Sequence, residues 1–274
     1  MSRALAVFHG RFGRATVYQL NRPFNMHAHR EGHLIFHVGG TPARIDVCND
    51  QWLLREDSIV AVNPWEPHNF VPTDVGDGAI FFVLYVNGEW FAPDAARAHS
   101  LRFGKTGFKR TPTLDKHVRR TAALVCGAPS LSSLDSELRQ LIDGCYEESW
   151  RAAENAATRT AAAVTDFRVR KSIKLMSESP GAELELDLIA RESGLSRPHF
   201  YRLFRTQTGV TPHLYLNTLM MEQALDALVA TEAPVADNGF DLGFSSQSGF
   251  TRFFAANVGL APTEYRRAAK VLRP

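Results

Sequence analysis

One stretch near the C-terminus, residues 243–267, constrains the fold more than any other part of this 274-residue chain. Large apolar residues recur there at helical spacing and predict a helix with one apolar face. These residues are Phe250, Phe253, Phe254 and Val258. Because proline is favoured in the first turn of a helix, a second, short helix is expected to begin at Pro262.

The face of the first of these helices that lies away from the phenylalanines is polar. It carries short hydrogen-bonding side chains and one cation, at Ser246, Gln247, Thr251 and Arg252. Side chains of this kind contact base edges and phosphates in the major groove of DNA. A helix that only packs in a core explains the phenylalanines but not this outer face, so the stretch predicts a DNA-reading helix.

A similar unit lies upstream, where a short helix over residues 184–192 and a turn precede a longer helix that Ser196 can cap. Phe200, Leu203 and Phe204 form the apolar face of this longer helix. The side chains left for solvent or DNA are Ser196, Arg197, His199, Tyr201, Arg202 and Arg205. The chain therefore carries two candidate DNA-reading helices.

Together the two units resemble the paired helix-turn-helix domains of the AraC/XylS family of bacterial transcription regulators. In the first unit the resembling residues are Leu188 to Ala190, Gly194 to Ser196, Phe200, Leu203 to Arg205, Gly209, Thr211, Pro212, Tyr215 and Leu216. In the second they are Gly243, Phe244, Gln247, Ser248, Phe250, Arg252, Phe253, Gly259, Pro262 and Glu264 to Arg267. The resemblance implies a cytoplasmic protein that binds promoter DNA. It also implies activation through contact with RNA polymerase as the commoner mode, with repression left open.

The helix predicted to join the two units, over residues 212–229, is a rod of roughly 27 Å, near the ~34 Å between successive major-groove faces of B-DNA. It departs from the family pattern, in which this helix is usually rich in arginine. The departures are Asn217, Thr218, Met220 and Gln223 in this helix, and Asn238, Gly239, Ala255 and Ala256 further on. From Asp166 onward the chain has 13 lysines and arginines against 12 aspartates and glutamates. Because each lost phosphate contact lowers the slope of log affinity against log salt by about 0.9, we expect a shallow salt dependence.

The first 105 residues read as short strands rich in Val, Ile, Phe and Tyr. Turn sequences such as Gly39-Gly40 and Asn63-Pro64 separate the strands. We predict strands over residues 15–20, 33–38, 43–47, 58–62 and 79–86. Many short strands at such spacing are typical of a sandwich or a barrel.

Two segments of this half resemble the motifs of a cupin, the small β-barrel that commonly serves as the sensor of AraC/XylS regulators. His27 and His29 match the paired histidines of metal-binding cupins and His68 matches the later one, whereas His33 stands where that pattern has a glutamate. The resemblance implies an effector pocket lined by these four histidines and by Trp65. Neutral imidazole also binds zinc, nickel, copper or iron, so a divalent metal on the same four histidines is the alternative.

Two other functions compete with an effector-controlled regulator. One is a metal-dependent cupin enzyme fused to a DNA-binding tail; the missing glutamate counts against it, and we expect no catalytic residues. The other is a module that sequesters a partner protein and no longer reads DNA. Only the uncharged connecting helix favours this last possibility.

The region between the two halves contains a heptad seam. Leu131, Leu134, Leu138 and Leu141, followed by Cys145, alternate spacings of three and four residues. Helices placed directly after the barrel commonly dimerise proteins of the family, so the resemblance implies a homodimer through these leucines. The alternative is packing against the barrel of the same chain.

The sequence thus predicts an α+β protein of two domains. A cupin-like β-barrel occupies residues 1–105 and is followed by a helical dimerisation segment over 106–150. After a linker over 151–165, an all-α domain over 166–274 holds two helix-turn-helix units joined by a long helix. The three cysteines form no CxxC motif, which fits a reducing cytoplasm. No apolar run is long enough for a signal peptide or a membrane span, so we expect no membrane partner.

Overall fold

The computed structural model describes residues 2–73, 78–91, 101–127, 131–153, 164–178 and 180–271. An N-terminal β-domain is followed by two long helices and a C-terminal helical domain, which confirms the predicted α+β class. The strands are β1 (Arg3–Gly10), β2 (Gly13–Leu20), β3 (Gly32–Gly40), β4 (Ala43–Val47), β5 (Asp50–Leu54), β6 (Ser58–Val62), β7 (His68–Pro72), β8 (Ala79–Val86), β9 (Gly107–Lys109) and β10 (Ala269–Val271).

The described strands form two sheets rather than one closed barrel. The larger sheet has the order β10-β1-β2-β8-β3-β6-β9, and the smaller has the order β5-β4-β7. The sheets share a core in which Phe70 of the smaller sheet meets Phe81 of the larger at a ring-centroid distance of 5.1 Å. An isolated bridge between His27 and His68 ties the loop after β2 to β7. This arrangement is consistent with the cupin-like expectation, with its strands divided between two layers.

Ten helices are present in the described parts of the chain. They are α1 (Gly88–Phe91), α2 (Pro112–Cys126), α3 (Leu131–Arg151), α4 (Phe167–Glu178), α5 (Leu186–Glu192), α6 (Arg197–Thr208), α7 (Pro212–Ala230), α8 (Val235–Asp241), α9 (Gln247–Val258) and α10 (Pro262–Ala268). None of them is long and apolar enough to cross a membrane. Residues 154–163, most of the predicted linker, lie outside the described residues.

The heptad leucines of α3 are used differently from the dimerisation prediction. Leu134, Leu138 and Leu141 are fully buried within the chain, in a core that also holds Leu34 and Phe36 of β3. A leucine with no exposed surface in the single chain cannot meet a second copy, so these residues are corrected to an intrachain packing face. The side chain of Leu131 lies outside the described residues. Heptad spacing does not identify the partner of a helix, because a helix that packs on a sheet has the same apolar stripe as a helix in a dimer.

The two helix-turn-helix units consist of α5 with α6 and of α8 with α9. Helices α6 and α9 end at Gly209 and Gly259, whose φ values of 82° and 76° place them in the left-handed conformation that glycine adopts most easily. Ser246 caps α9, since its Oγ accepts a hydrogen bond from the backbone N–H of Gly249. Helix α7 joins the units, as the sequence predicts.

The C-terminal domain is docked on the β-domain. Strand β10 follows α10 and pairs in parallel with β1, so the chain's last described residues extend the N-terminal sheet. The core between the two sheets continues into the second helix-turn-helix unit through Phe250 and Phe254 and into α7 through Leu225. Helix α7 contributes to this core with its second half and to the core of the first unit with its first half.

Candidate nucleic-acid interface and histidine pocket

The two recognition helices present the polar side chains expected from the sequence. In α6 and its cap, Ser196, Arg197, Arg202 and Arg205 are exposed, and His199 and Tyr201 are half-buried. In α9 and its cap, Gln247 and Arg252 are exposed, and Ser246 and Thr251 are half-buried. Arg197 is engaged by Asp187 of α5 at 3.0 Å. The other three arginines of this set, at 202, 205 and 252, are also exposed on the recognition helices.

The connecting helix α7 packs against the β-domain where the family pattern would place cations. Thr218 is buried, and its Oγ1 donates a hydrogen bond to the carbonyl of Ala28 at 3.1 Å. Met220 is buried in the core of the first unit. One turn beyond Thr218, Glu222 forms an ion pair with Arg30 at 3.4 Å. The absence of arginine at Thr218 and Met220 therefore has a packing reason, since a buried unpaired cation would be costly.

Three other departures from the family pattern, Asn238, Gly239 and Ala256, also lie at contacts between elements. The carbonyl of Ala256 in α9 accepts a hydrogen bond from the backbone N–H of Asn25 at 3.0 Å, which places this part of α9 on the β-domain. Gly239 in α8 lies so near α9 that an added Cβ would come within 2.8 Å of the Cβ of Phe250. Asn238 is buried beside it.

One loop of the β-domain makes most of these contacts. We call residues 21–31, between β2 and β3, the docking loop. It reaches α7 through Ala28 and Arg30 and α9 through Asn25, and the ring of Phe24 fills the space that a side chain at Gly259 would need. One segment of the sensor thus contacts the second helix-turn-helix unit directly and reaches the first through α7, whose first half belongs to the core of that unit.

The docking loop also carries two of the predicted histidines into a shared pocket. His27, His29 and His68 offer ring nitrogens that all lie within 4.8 Å of one another. His33 joins them, with its ring centroid 4.5 Å from that of His68 and 5.1 Å from that of His29. The four histidines named from the sequence therefore do converge.

Hydrogen bonds to the backbone orient two of these rings. The Nδ1 atom of His27 lies 2.8 Å from the carbonyl oxygen of Asn25, and that of His68 lies 2.9 Å from the carbonyl oxygen of Glu66. A carbonyl only accepts, so in both rings Nδ1 carries the proton and donates it. The Nε2 atoms are consequently left with a free lone pair.

Burial keeps the imidazoles neutral. It lowers the pKa of His27 to about 4 and that of His33 to about 3. Burial, followed by repulsion from the neighbouring imidazoles, holds the pKa of His29 and of His68 well below the usual range. Desolvation disfavours the charged form of a base, so four closely spaced rings remain uncharged at neutral pH.

The cavity at this cluster has walls from both domains. Its volume is about 50 Å³, and Leu225 of α7 and Asn257 and Val258 of α9 line it together with the histidines. Arg14 of β2 also lines it, with the guanidinium 3.7 Å from the centre of the Tyr85 ring. The sequence reasoning missed Arg14, Tyr85 and the three α-domain residues. No local sequence motif identifies these residues, because they reach the cavity through sheet pairing and domain docking.

Trp65 does not line this cavity, in contrast to the prediction. Its indole stacks on Tyr215 of α7, with ring centroids 4.3 Å apart and an interplanar angle of 4°. The backbone of Trp65 is left-handed, with φ of 63°, and its N–H donates to the carbonyl of His29. This turn directs the side chain to the domain interface, and Trp65 is a docking contact.

A second, larger cavity lies on the other side of the β-domain. It measures about 340 Å³ between the large sheet and α2, and Val17, Ile80, Arg110 and Cys126 are among its lining residues. That volume lies within the range of organic ligand pockets. The volume of the cavity at the four histidines, which we call the histidine cavity, is far below that range.

The two parts of the chain match two family models. An AraC-like ligand binding domain matches residues 14–145, and a helix-turn-helix domain matches residues 189–268. The regulatory protein SoxS of Salmonella typhimurium is 33% identical over 98 residues, which are 36% of this chain and 92% of SoxS. The activator RclR of Escherichia coli, described as RCS-specific, is 27% identical over 146 residues, 53% of this chain. The chain spans about half the length of RclR, at 51%.

Solved structures show the same fold over nearly the whole chain. An apo variant of ToxT from Vibrio cholerae has a TM-score of 0.62 at 13% identity, covering 93% of this chain and 96% of ToxT. Wild-type ToxT with a bound unsaturated fatty acid has a TM-score of 0.58 at 14% identity, covering 92% and 94%.

The fold and the matched regions define a class of protein: a DNA-binding regulator with an N-terminal ligand-binding domain and a C-terminal double helix-turn-helix. Within this class, the chain belongs to the AraC/XylS family of transcription regulators.

Proposed function

We propose that this regulator is controlled by a small effector held in the histidine cavity and that the effector acts by changing domain docking. The observation that carries the proposal is the mixed lining of the cavity, in which Leu225, Asn257 and Val258 come from the DNA-binding domain. A ligand there contacts both domains in the docked state but only one after release. It therefore binds the two states with different affinity, which is the requirement for shifting their equilibrium.

In the docked state the second DNA-reading unit is restrained at α9 and the first through α7, whose first half belongs to its core. The docking loop contacts α7 and α9, and Trp65 adds the stack on Tyr215. In this proposal DNA binding draws the units away from the loop, and effector binding changes the free-energy cost of doing so. Coupling of this kind is reciprocal between effector and DNA.

The remaining parts of the proposal follow from the family. We infer a cytoplasmic binding protein without catalytic activity that acts with RNA polymerase at promoters. A homodimer on DNA is part of this proposal but has to form through a surface other than the buried leucines of α3. Sedimentation of the full chain at micromolar concentration tests the dimer, and a monomer under all conditions would remove it.

Genome-wide mapping of bound DNA tests the proposed DNA reading. The native chain should occupy discrete promoter sites, and a variant with both Arg202→Ala and Arg252→Ala should lose them, because both arginines are exposed on recognition helices. Arg55→Ala is the matched control, since Arg55 is exposed on the β-domain. Equal occupancy by the double variant and the control would contradict the assignment.

A further inference from the structure

We propose that the effector site is a metal site, in which His27, His29 and His68 bind one divalent first-row transition metal ion and His33 is available as a fourth ligand. This inference rests on the proposed function for its regulatory role, although the binding itself does not. The three ligand nitrogens lie within 4.8 Å of one another. A tetrahedral zinc ion at ~2.0–2.1 Å from each nitrogen would hold them roughly 3.4 Å apart. Ring rotations that move the nitrogens by about an ångström would close that gap.

The hydrogen bonds around the cluster are those of a metal-binding shell. The Nδ1 atom of His27 donates a hydrogen bond to the carbonyl of Asn25, and that of His68 donates to the carbonyl of Glu66. The lone pair of each Nε2 atom is therefore free to bind a metal ion. An arrangement in which the second ring nitrogen donates to a backbone carbonyl fixes both the tautomer and the direction of a ligating imidazole.

A further nitrogen in the cluster, Nε2 of His29, is buried without a partner among the described residues. A buried polar atom without a partner costs free energy, and this one lies beside the oriented rings of His27 and His68. One ion bound by these three rings would give it a partner.

The donor set and the space define the class of ion. Neutral imidazoles suit zinc, copper, nickel, cobalt and iron, whereas calcium and magnesium prefer oxygen ligands. The cavity of about 50 Å³ has room for an ion and a few water molecules but not for a drug-sized organic effector. Arg14 lines the same cavity, so an additional ligand on the ion that carries negative charge would face a cation.

The segment that carries two of the ligands also forms the domain contact. The carbonyl of Ala28, between His27 and His29, accepts the hydrogen bond from Thr218 of α7. The carbonyl of His29 accepts from the N–H of Trp65, whose indole stacks on Tyr215. A shift of His27 and His29 toward an ion therefore moves the same backbone that holds the connecting helix. The ion thus acts on docking through this backbone as well as through the α9 residues that line the cavity.

Titration of the untagged, full-length chain with Co²⁺ and Zn²⁺ tests the metal site. We expect one Co²⁺ ion per chain, with the visible absorption of a four-coordinate site, and displacement by Zn²⁺. Because removal of an outer-shell partner alone typically costs 10–100-fold in metal affinity, His29→Ala and His68→Ala should each weaken Zn²⁺ binding by about 100-fold or more. His213→Ala is the control, as His213 is exposed on α7.

Folding of each variant is checked by its urea unfolding without metal, and His29→Gln and His68→Gln replace any alanine variant that does not fold. Absence of a stoichiometric Co²⁺ complex, or Zn²⁺ affinity equal in the histidine variants and the His213→Ala control, would overturn the metal site. The proposed function as an effector-controlled regulator would then remain, with an effector other than a metal ion. Stoichiometric histidine-dependent binding that leaves DNA affinity unchanged would instead keep the site and remove its regulatory role.

Discussion

The hydroxyl of Thr218 donates a hydrogen bond to the carbonyl of Ala28 across 3.1 Å, joining the helix that connects the DNA-reading units to the loop that carries the pocket histidines. Thr218 is buried at this contact. An arginine, common in the family at this position, would not fit there without separating the domains. The absence of a cation at Thr218 is thus tied to the docked state.

Thr218→Arg should release the docked state and add a phosphate contact. We expect stronger DNA binding at low salt and a slope of log affinity against log salt steeper by about 0.9. Gln223→Arg adds the same charge to an exposed position of α7 and serves as the control. Salt titrations of DNA affinity compare the two, and equal affinity of both variants at low salt would argue that docking does not oppose DNA binding.

Two single substitutions test the base-reading residues. Arg202→Ala and Gln247→Ala should each relax base preference at one position of the operator, with a loss of about 1–3 kcal/mol if the lost contact is a good bidentate pair. Footprinting on an operator and on single-base variants of it measures this. Unchanged protection and unchanged preference would assign both side chains to solvent.

Gly239 is expected to resist enlargement. A Cβ there would lie 2.8 Å from the Cβ of Phe250, a contact between two fixed helices, so Gly239→Ala should destabilise the chain by about 1–3 kcal/mol. At Gly249 the nearest atom is the side-chain Oγ of Ser246 at 3.3 Å, and alanine should be better tolerated. Urea unfolding compares the variants, and a more stable Gly239→Ala chain would refute the close approach of α8 and α9.

Docking should weaken in acid through His9. Its Nε2 lies 2.7 Å from the hydroxyl of Tyr265, and burial, with the charge of Arg14, lowers the pKa of His9 to about 3. Released from the interface, His9 would titrate near ~6.5. Below that pH the released state binds a proton that the docked state excludes, so docking is fully favourable above pH ~6.5 and is lost progressively toward pH 3.

The matched variant for this prediction is His9→Gln, which removes the titration. Glu222 acts in the opposite direction, since burial raises its pKa in the docked state to about 7 despite Arg30. The difference between native and variant unfolding free energies isolates His9. That difference should change between pH 7 and pH 5. If the unfolding free energies of the native chain and the variant instead vary with pH in parallel, His9 keeps an ordinary pKa.

The sequence predicts elements whose signals are local. Strands β4, β6 and β8 have the predicted bounds, because each is an apolar or alternating run closed by turn residues. Strand β1 is absent from the predicted strands although its residues 4–8 form an apolar run, and β10 is absent because three residues carry no periodic signal. β10 exists through parallel pairing with β1 at the opposite end of the chain.

Site residues could be predicted where a sequence motif is present, but not where the docking of the two domains determines their position. The histidine cluster follows from a short motif and strand pairing, so its convergence could be predicted. Trp65 was misplaced because a left-handed backbone redirects it to Tyr215, and the leucines of α3 because heptad spacing does not identify the surface they pack on. Arg14 enters the cavity from β2, a strand with no functional motif.

Hydrogen exchange of the native full-length chain with and without operator DNA tests the central claim most directly. DNA should protect amides of α6 and α9 and, in the same sample, increase exchange in the docking loop around Asn25 and in β1 where it pairs with β10, because binding draws the DNA-reading units off the sensor. Protection of the recognition helices with unchanged exchange in the docking loop and β1 would contradict the account.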